Sequence, residues 1–157
     1  MPPMQHAADK PDFCNISPEL SRDFRGLRVW LPIKMHGLGA FREALDEKLD
    51  LTEWATAELR QIEYMRIVAE PQLSVVAFRL EPPGVAGDAL DRLNQALIDR
   101  VNARQRVFLT GTVLDGRFAL RICVVAFRTH HEEVAAALDD IRSVVGEFHA
   151  EPGAPGS

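Results

Sequence analysis

The chain has little cysteine and no long apolar run, and both shortages limit what it can be. Its two cysteines, Cys14 and Cys123, lie far apart and form no CxxC pair, so neither a disulfide framework nor a zinc ribbon is indicated. No segment approaches the roughly 20 apolar residues that span a bilayer. The opening MPPMQHAADKPDF lacks a signal-peptide core. We therefore expect a cytoplasmic protein that associates with no membrane.

An excess of positive charge and the common local catalytic signatures are also missing. The net charge of -5 argues against a protein that grips nucleic-acid phosphates, and we expect no nucleic-acid partner. The chain has no glycine-rich phosphate loop, no GxSxG and no HExxH. No self-contained active site is visible. A length of 157 residues with 46% apolar content instead indicates one globular domain with a core.

The pattern along the chain separates three parts. Residues 1–16 carry prolines and no periodicity, which predicts an extended lead-in. Residues 17–149 alternate between periodic segments and turn signals and form the folded part. Residues 150–157 contain EPGAPGS and are expected to be a disordered tail.

Two helices are predicted at the start of the folded part. Ser17 and the proline after it suit a helix start, and Pro32 is expected to bend or break the helix before Gly37 and Gly39. A long amphipathic helix follows, because apolar positions recur every three or four residues. Its predicted buried face consists of Leu38, Phe41, Leu45, Leu49, Thr52, Ala55, Leu59 and Ile62.

The next segments predict two strands and a helix. Two runs rich in branched residues, 65–69 and 73–80, are bounded by proline and indicate strands. A loop, EPPGVAG, leads to Asp88, which is predicted to cap a helix that ends near Arg104. The buried stripe of this helix is expected at Leu90, Leu93, Leu97 and Val101.

The last segments predict a hairpin and a helix. Residues 106–127 read as two β-rich runs folded at Asp115-Gly116, since this pair supplies the positive φ of a tight turn. Thr129 and Glu132 match a capping box for a final helix. The full order predicts an α+β fold, a mostly antiparallel sheet with helices on one face.

Two charged clusters are weak candidates for function. The run His130–Glu133 contains four possible metal ligands, but successive helical side chains point about 100° apart and do not converge on one ion. Arg22, Arg25 and Arg28 share one helix face, which we interpret as an interface with another subunit rather than a nucleic-acid site.

Arg121 is the stronger candidate. Strand alternation places Leu120 and Ile122 toward the helices and Arg121 and Cys123 on the opposite face. An arginine among small residues is suited to bind a carboxylate or phosphate through two parallel hydrogen bonds. The alternative is a surface arginine paired with a nearby Asp or Glu. Cys123 is interpreted as a small apolar residue rather than a nucleophile, because no histidine is placed to activate it.

Three strings resemble one enzyme family. SPELSRDFRGLRVWLPIKMHGLGAFREAL, LSVVAFRL and LIDRVNARQRVFLTGTVLDGRFALRICVVAFRTHHEEV are similar, in this order, to segments of the group II pyridoxal-phosphate-dependent decarboxylases, which include the aromatic amino-acid and glutamate decarboxylases. The resemblance covers residues 13–148 and concerns the C-terminal portion. Even MPPMQ resembles sequence internal to longer relatives, so Met1 is expected to be an internal methionine.

The resemblance implies a fold-type I (aspartate-aminotransferase-like) enzyme whose small C-terminal α+β domain closes over a dimeric active site. Pyridoxal 5'-phosphate would serve the full-length enzyme, held by a lysine upstream of this region. None of Lys10, Lys34 and Lys48 lies in the family's histidine-lysine context. The resemblance therefore implies no catalytic residue here and no cofactor bound by this chain alone.

Three supporting residues carry over from the family. Arg121 matches an arginine of glutamate decarboxylases that approaches the substrate carboxylate. Leu20 and Arg22 match positions near the active site and dimer interface of aromatic amino-acid decarboxylases. Asp23 stands where those enzymes have a second arginine, so their interface contacts and substrate choice do not transfer directly.

Three functional hypotheses remain open at this point. The first is a carboxy-lyase fragment that depends on a large cofactor-binding domain or a homodimer partner and exposes apolar surface. The second is an independent small-molecule-binding module with Arg121 as an anion clamp in a closed pocket. The third is a non-catalytic dimerisation protein that uses the first helix.

Overall fold

The computed structural model describes residues 23–150 of the chain. These residues belong to two compact units, which divide between Gly39 and Ala40. The predicted lead-in at 1–16, the Ser17 cap, and residues 151–157 of the predicted tail lie outside the described residues.

Helix α1, Arg25–Leu59, is interrupted at Gly37, whose φ of 79° and ψ of 160° are not helical. Glycine adopts this backbone conformation without the Cβ clash that other residues meet. The predicted punctuation at Gly37 is confirmed. Pro32 lies inside the helix, so of the predicted bend or break the break does not occur there. The Arg28 carbonyl that Pro32 leaves without a donor belongs to an exposed residue, where water can satisfy it.

The described part of the first unit carries both exposed apolar and paired charged side chains. Phe24 and Trp30 are 73% and 58% exposed. The Arg28 guanidinium lies 2.6 Å from the Asp23 carboxylate. One member of the predicted arginine stripe therefore has an acidic partner within its own segment.

In the second unit, α1 is buried only toward its C-terminal end. Leu51, Ala55 and Leu59 belong to the core cluster, whereas Phe41 and Leu45 are exposed. The predicted apolar stripe is correct for its second half and wrong for its first half. The core cluster of this unit reaches only the final turns of the helix, so earlier apolar positions have no core to join.

Four strands form one antiparallel sheet. β1 is Met65–Gln72 and β2 is Val75–Leu80. β3 is Thr110–Leu114 and β4 is Arg117–Cys123. The order across the sheet is β1-β2-β4-β3, so two hairpins are joined through β2 and β4. Asp115 and Gly116 have φ values of 51° and 74° in the β3–β4 turn, which confirms the predicted turn.

Helices α2, Asp88–Ala103, and α3, His131–Ala150, follow the predicted positions, but both predicted caps are wrong. Gly87 caps α2, and no side-chain hydrogen bond caps this helix. In α3 the Glu133 carboxylate accepts from the backbone N–H of His130, one residue later than the predicted pair. The Thr129 N–H lies in the preceding turn and donates to the Ala126 carbonyl.

The core lies between one face of the sheet and the helices. The predicted alternation on β4 is confirmed: Leu120 and Ile122 are buried in the core cluster, whereas Arg121 and Cys123 lie on the other face. The α+β fold with helices on one sheet face is therefore the observed architecture. All three helices contribute to the core cluster, as do β1, β2, β4 and the connections between elements. Its members are Leu51, Ala55, Leu59, Ile62, Met65, Val76, Phe78, Leu80, Leu97, Ile98, Val101, Leu109, Leu120, Ile122, Val124, Val134, Leu138, Ile141, Val144 and Val145.

Candidate functional site

Arg121 is the one predicted site residue that the structure describes. It lies in β4, the inner strand between β2 and β3, and it is half-buried. Leu20 and Arg22, the other two predicted site residues, lie outside the described residues. The structure therefore brings no predicted pair together, and the candidate site is built around Arg121.

The Arg121 side chain is held by a neighbouring strand. Its cross-strand partners are Ala77 on β2 and Thr110 on β3. The Arg121 Nε–H donates to Thr110 Oγ1 at 3.2 Å. A guanidinium has five N–H donors. One donor is thus engaged, and the Nη groups make no hydrogen bond to the residues that the structure describes.

Arg121 has no acidic partner among the described residues. Within residues 23–150, no carboxylate forms an ion pair with this guanidinium. The alternative expectation, a surface arginine paired with Asp or Glu, is therefore wrong for the described chain. An arginine without a counter-charge favours binding of an anion from outside. Its neighbours on this face, read from the strand register, are Val75, Ala77, Arg79, Thr110, Thr112, Ala119 and Cys123.

Arg79 adds a second, buried positive charge to the same sheet face. Its Nε donates to the Phe118 carbonyl at 2.7 Å, and its Nη1 donates to the Glu81 carboxylate at 3.1 Å. Its Nη2 is buried without a hydrogen-bond partner in the described chain. The sequence reading did not single out this residue. The alternation of β2, with Val76 and Phe78 in the core, is the sequence signal that places Arg79 on the same sheet face as Arg121.

A second polar cluster lies at the N-terminus of α3. The Lys48 ammonium, on a residue that is only 6% exposed, donates to the Thr129 carbonyl and to Glu47, both at 2.6 Å. The other Glu47 oxygen lies 2.7 Å from His130 Nδ1. The hydrogen bond with His130, and next that from Lys48, lower the pKa of the Glu47 carboxyl. Sequence reasoning missed this cluster because its members come from distant segments.

The His130–Glu133 run serves helix capping and packing rather than convergence on an ion. The His130 N–H bonded to Glu133 lowers the pKa of that carboxyl. His131 stacks on Trp54, with ring centroids 4.2 Å apart. Across residues 23–150, no three His, Cys, Asp or Glu side chains are grouped as a metal site requires.

A shallow, largely apolar hollow lies beside α3. Its walls include Val107, Phe108, Cys123, Val134 and Ala137. Arg121 is not among the residues that line it. This hollow therefore does not provide the closed pocket that an Arg121 anion clamp in an independent module would need.

The two described lysines differ in exposure and in hydrogen-bond partners. The Lys48 ammonium donates hydrogen bonds to a backbone carbonyl and a carboxylate. A Schiff base needs a neutral, accessible amine. Lys34 is exposed on the helical segment before Gly37, and its side chain makes no hydrogen bond or ion pair with the described residues.

Comparison with known proteins shows close similarity to amino-acid decarboxylases. The chain is 34% identical over 130 residues to the aromatic-L-amino-acid decarboxylase of Bacillus atrophaeus, which covers 82% of this chain and 27% of that protein. It is 31% identical over 141 residues to tryptophan decarboxylase 2 of Oryza sativa subsp. japonica, and this match covers 87% of this chain and 28% of that protein. No protein-family profile matches the chain.

The chain is homologous to the C-terminal part of the group II pyridoxal-phosphate-dependent decarboxylases. This decarboxylase-like chain superposes on the Catharanthus roseus tryptophan decarboxylase solved in complex with L-tryptophan with a TM-score of 0.76, at 26% identity, over 87% of this chain and 28% of that one. Oryza sativa TDC with PLP and tryptamine gives a TM-score of 0.79, over 89% of this chain and 29% of that one. At 21% identity this likeness supports the fold.

The match is confined to a small share of these relatives. The decarboxylase-like chain spans less than a third of the length of the curated relatives and solved structures just described. The family fold is the aspartate-aminotransferase type, and the sheet and helices of this chain correspond to one part of it. No helix within residues 23–150 is both long enough and apolar enough to cross a membrane.

Proposed function

We propose that this chain is the C-terminal small domain of a pyridoxal-phosphate-dependent amino-acid carboxy-lyase, with domain boundaries at 17–149. The observation that carries the proposal is the 34% identity over 82% of this chain with an aromatic-L-amino-acid decarboxylase of which it matches 27%. A small domain of this kind contributes side chains to an active site whose cofactor lies elsewhere. The chain alone is then not catalytic.

Arg121 is the residue proposed to contact substrate. Its Nη groups have no acidic partner in residues 23–150, and its face of the sheet carries a second arginine, Arg79. This environment favours a carboxylate, which every amino-acid substrate carries. Leu20 and Arg22 are proposed to lie near the active site and dimer interface, on the strength of the family resemblance alone.

Pyridoxal 5'-phosphate is proposed to be held outside this chain in the full-length enzyme. The cofactor supplies an electron sink for the carbanion left when carbon dioxide departs. The role of this chain is to present Arg121 toward the substrate. The engagement of the Lys48 ammonium with the Thr129 carbonyl and Glu47 supports a Schiff-base lysine elsewhere.

The proposed partner is a large cofactor-binding domain, in a cytoplasmic homodimer. Exposed apolar residues support such a partner. Phe108, Val125 and Phe127 are between 73% and 80% exposed and flank the start of β3 and the end of β4. Leu73, in the β1–β2 turn, is 81% exposed, and the adjacent Ser74 carbonyl accepts from the Val124 N–H, so this turn lies at the same end of the sheet. Apolar side chains gathered in this way mark a contact surface.

Cofactor titration tests the proposal. The purified chain is titrated with pyridoxal phosphate while aldimine absorbance and thermal unfolding are recorded, with Lys48→Arg and Lys34→Arg as companion variants. We expect no saturable aldimine and no thermal shift. A stoichiometric aldimine that disappears in one lysine variant would contradict the proposal that the cofactor is held outside this chain.

Reconstitution tests the positive part of the proposal. The cofactor-binding portion of the Bacillus atrophaeus relative, lacking its own C-terminal part, is fused to this chain and assayed for release of carbon dioxide from aromatic amino acids. We expect activity with the wild-type chain and a loss of at least about tenfold with Arg121→Ala, the usual scale for one charge-assisted hydrogen bond. An Arg121→Ala fusion as active as wild type would contradict the substrate role.

A further inference from the structure

The contact between Thr110 and Arg121 assigns a role to a residue to which neither the sequence analysis nor the proposed function gives one. We infer that Thr110 is a positioning residue that restricts Arg121 to end-on recognition of a carboxylate. The inference rests on the proposed function in that it takes Arg121 as the group that binds the substrate carboxylate. The ligand class is a carboxylate whose two oxygens meet Nη1 and Nη2.

The restriction follows from the shape of the guanidinium. Arginine can bind a carboxylate side-on, through Nε and one Nη, or end-on, through both Nη groups. Thr110 Oγ1 accepts the Nε–H of Arg121 at 3.2 Å. The side-on mode is thereby occupied within the protein. Only the end-on pair of donors is left for a ligand.

Thr110 is well placed to hold this orientation. It is the first residue of edge strand β3 and lies directly opposite Arg121 in the register. Its β-branched side chain has few rotamers on a strand, so the hydroxyl position costs little entropy to fix. No other side chain in residues 23–150 hydrogen-bonds the Arg121 guanidinium.

The backbone beside Thr110 is fixed by helix α2. The Leu109 N–H donates to Asn102 Oδ1 at 2.8 Å, and Asn102 Nδ2 donates to the Leu109 carbonyl at 3.1 Å. One amide side chain thus satisfies both backbone groups of the residue that precedes Thr110. A continuous path of contacts runs from Asn102 through Leu109 and Thr110 to Arg121. The position of the guanidinium is determined by the fold and not only by a surface rotamer.

The test uses the whole chain and reads Arg121 directly. In a ¹⁵N-labelled sample, the Arg121 Nε–Hε resonance is assigned by its loss in Arg121→Lys, and its hydrogen-exchange rate is measured. We expect Thr110→Val, which replaces the hydroxyl by a methyl group, to accelerate exchange by about tenfold, whereas Thr110→Ser retains the slow rate. Thr112→Val is the matched control, because Thr112 lies on the same face of β3 opposite Ala119.

The ligand probes are 3-phenylpropionate and glutarate, titrated separately against the same variants. We expect Thr110→Val to weaken binding of both carboxylates by about tenfold relative to wild type. Thr110→Ser, which keeps the hydroxyl, should bind both with wild-type affinity. In the Arg121→Lys background, Thr110→Val should leave the affinity unchanged. Unchanged Hε exchange in Thr110→Val overturns the positioning role. Equal carboxylate affinity in Thr110→Val and wild type overturns it as well.

The two proposals fail in different ways. Failure of the reconstituted fusion to release carbon dioxide counts against the decarboxylase proposal and leaves the Nε–Hε measurement untouched. A wild-type chain whose Hε is protected but which binds neither carboxylate overturns the end-on clamp. If Thr110→Val does not fold, the exchange and affinity of Thr110→Ala are compared with those of Thr110→Ser under the same criteria.

Discussion

The side-chain amide of Asn94 completes the backbone hydrogen bonding of Leu80. The Leu80 N–H donates to Asn94 Oδ1 at 2.8 Å, and Asn94 Nδ2 donates to the Leu80 carbonyl at 2.9 Å. Pairing between β2 and β4 ends at Phe78 and Leu120, so the last residue of β2 has no strand partner on that side. A helix side chain thus takes the place of a strand residue inside the core.

We predict that Asn94→Leu lowers the free energy of unfolding by roughly 2–4 kcal/mol, because the variant leaves a buried donor and a buried acceptor unpaired. Urea unfolding followed by circular dichroism measures the change. Gln95→Ala is the control: Gln95 is exposed and bonds only Asp99 on the same helix, and its loss is expected to cost less than about 0.5 kcal/mol. Equal midpoints for Asn94→Leu and Gln95→Ala would show that the amide pairing does not stabilise the fold.

Two glycines give opposite predictions for the same substitution. A Cβ at Gly111 would lie 2.4 Å from the Phe118 ring, whereas a Cβ at Gly146, inside α3, meets nothing within 4 Å. Gly111→Ala should therefore lower the free energy of unfolding by about 1–3 kcal/mol. Gly146→Ala should raise it by about 0.5–1 kcal/mol, since alanine favours the helix.

Thermal and urea unfolding of both glycine variants check these signs. Phe118→Leu combined with Gly111→Ala should cost less than the sum of the two single changes, because the smaller side chain vacates the position of the ring. Additive effects in this double variant would mean that Phe118 is not the obstacle.

The carboxyls at the N-terminus of α3 predict an acid-sensitive region. Hydrogen bonds lower the folded-state pKa of Glu47 and Glu133 from the ordinary value of 4.5. Their stabilising contribution is therefore present above about pH 4.5 and is lost as the pH falls below it through the folded-state pKa. We expect Glu47→Gln and Glu133→Gln each to flatten the decline of the urea midpoint between about pH 5 and pH 3.

Glu132→Gln is the control for the acid sensitivity, because Glu132 is exposed and its side chain makes no hydrogen bond or ion pair with the described residues. Its pH profile should follow that of the wild type. A Glu47→Gln profile parallel to wild type over the same range would argue against a folded-state role for the His130 and Lys48 contacts.

Asp140 joins α3 to the segment after α2. Its side chain is 1% exposed, and Oδ1 accepts from Arg104 and Arg106 at 3.2 Å and 3.0 Å. Asp140→Ala should lower the free energy of unfolding by about 1–3 kcal/mol, less than for a fully buried pair, since water reaches both arginines. Asp139→Ala removes only an exposed pair with Arg142 and should cost less than about 0.5 kcal/mol. Unfolding in guanidinium chloride measures both free energies. Similar losses for the two alanine variants would contradict a stabilising role for the buried Asp140 carboxylate.

The spacing of apolar residues and the turn signals located most of the helices and strands, because each depends on interactions between residues close together in the sequence. The hairpin turn at Asp115-Gly116 needs positive φ, and the stripe through Val134, Leu138 and Ile141 repeats at helical spacing. Alternation likewise placed Arg121 opposite the core. Helix starts were less well determined: Gly87 and His130 stand at the cap positions of α2 and α3, one residue away from the residues that capping preferences favoured.

Sequence by itself determined the α+β class, the family and the face on which Arg121 lies, because each depends on short-range patterns or on strings that relatives share. Tertiary structure alone decided the partners: Thr110 at the Arg121 Nε, Asn94 at the Leu80 backbone, and Lys48 at the Thr129 carbonyl. These contacts join segments up to 81 residues apart. Such pairings follow from the packing of helices on the sheet, and no local spacing specifies them.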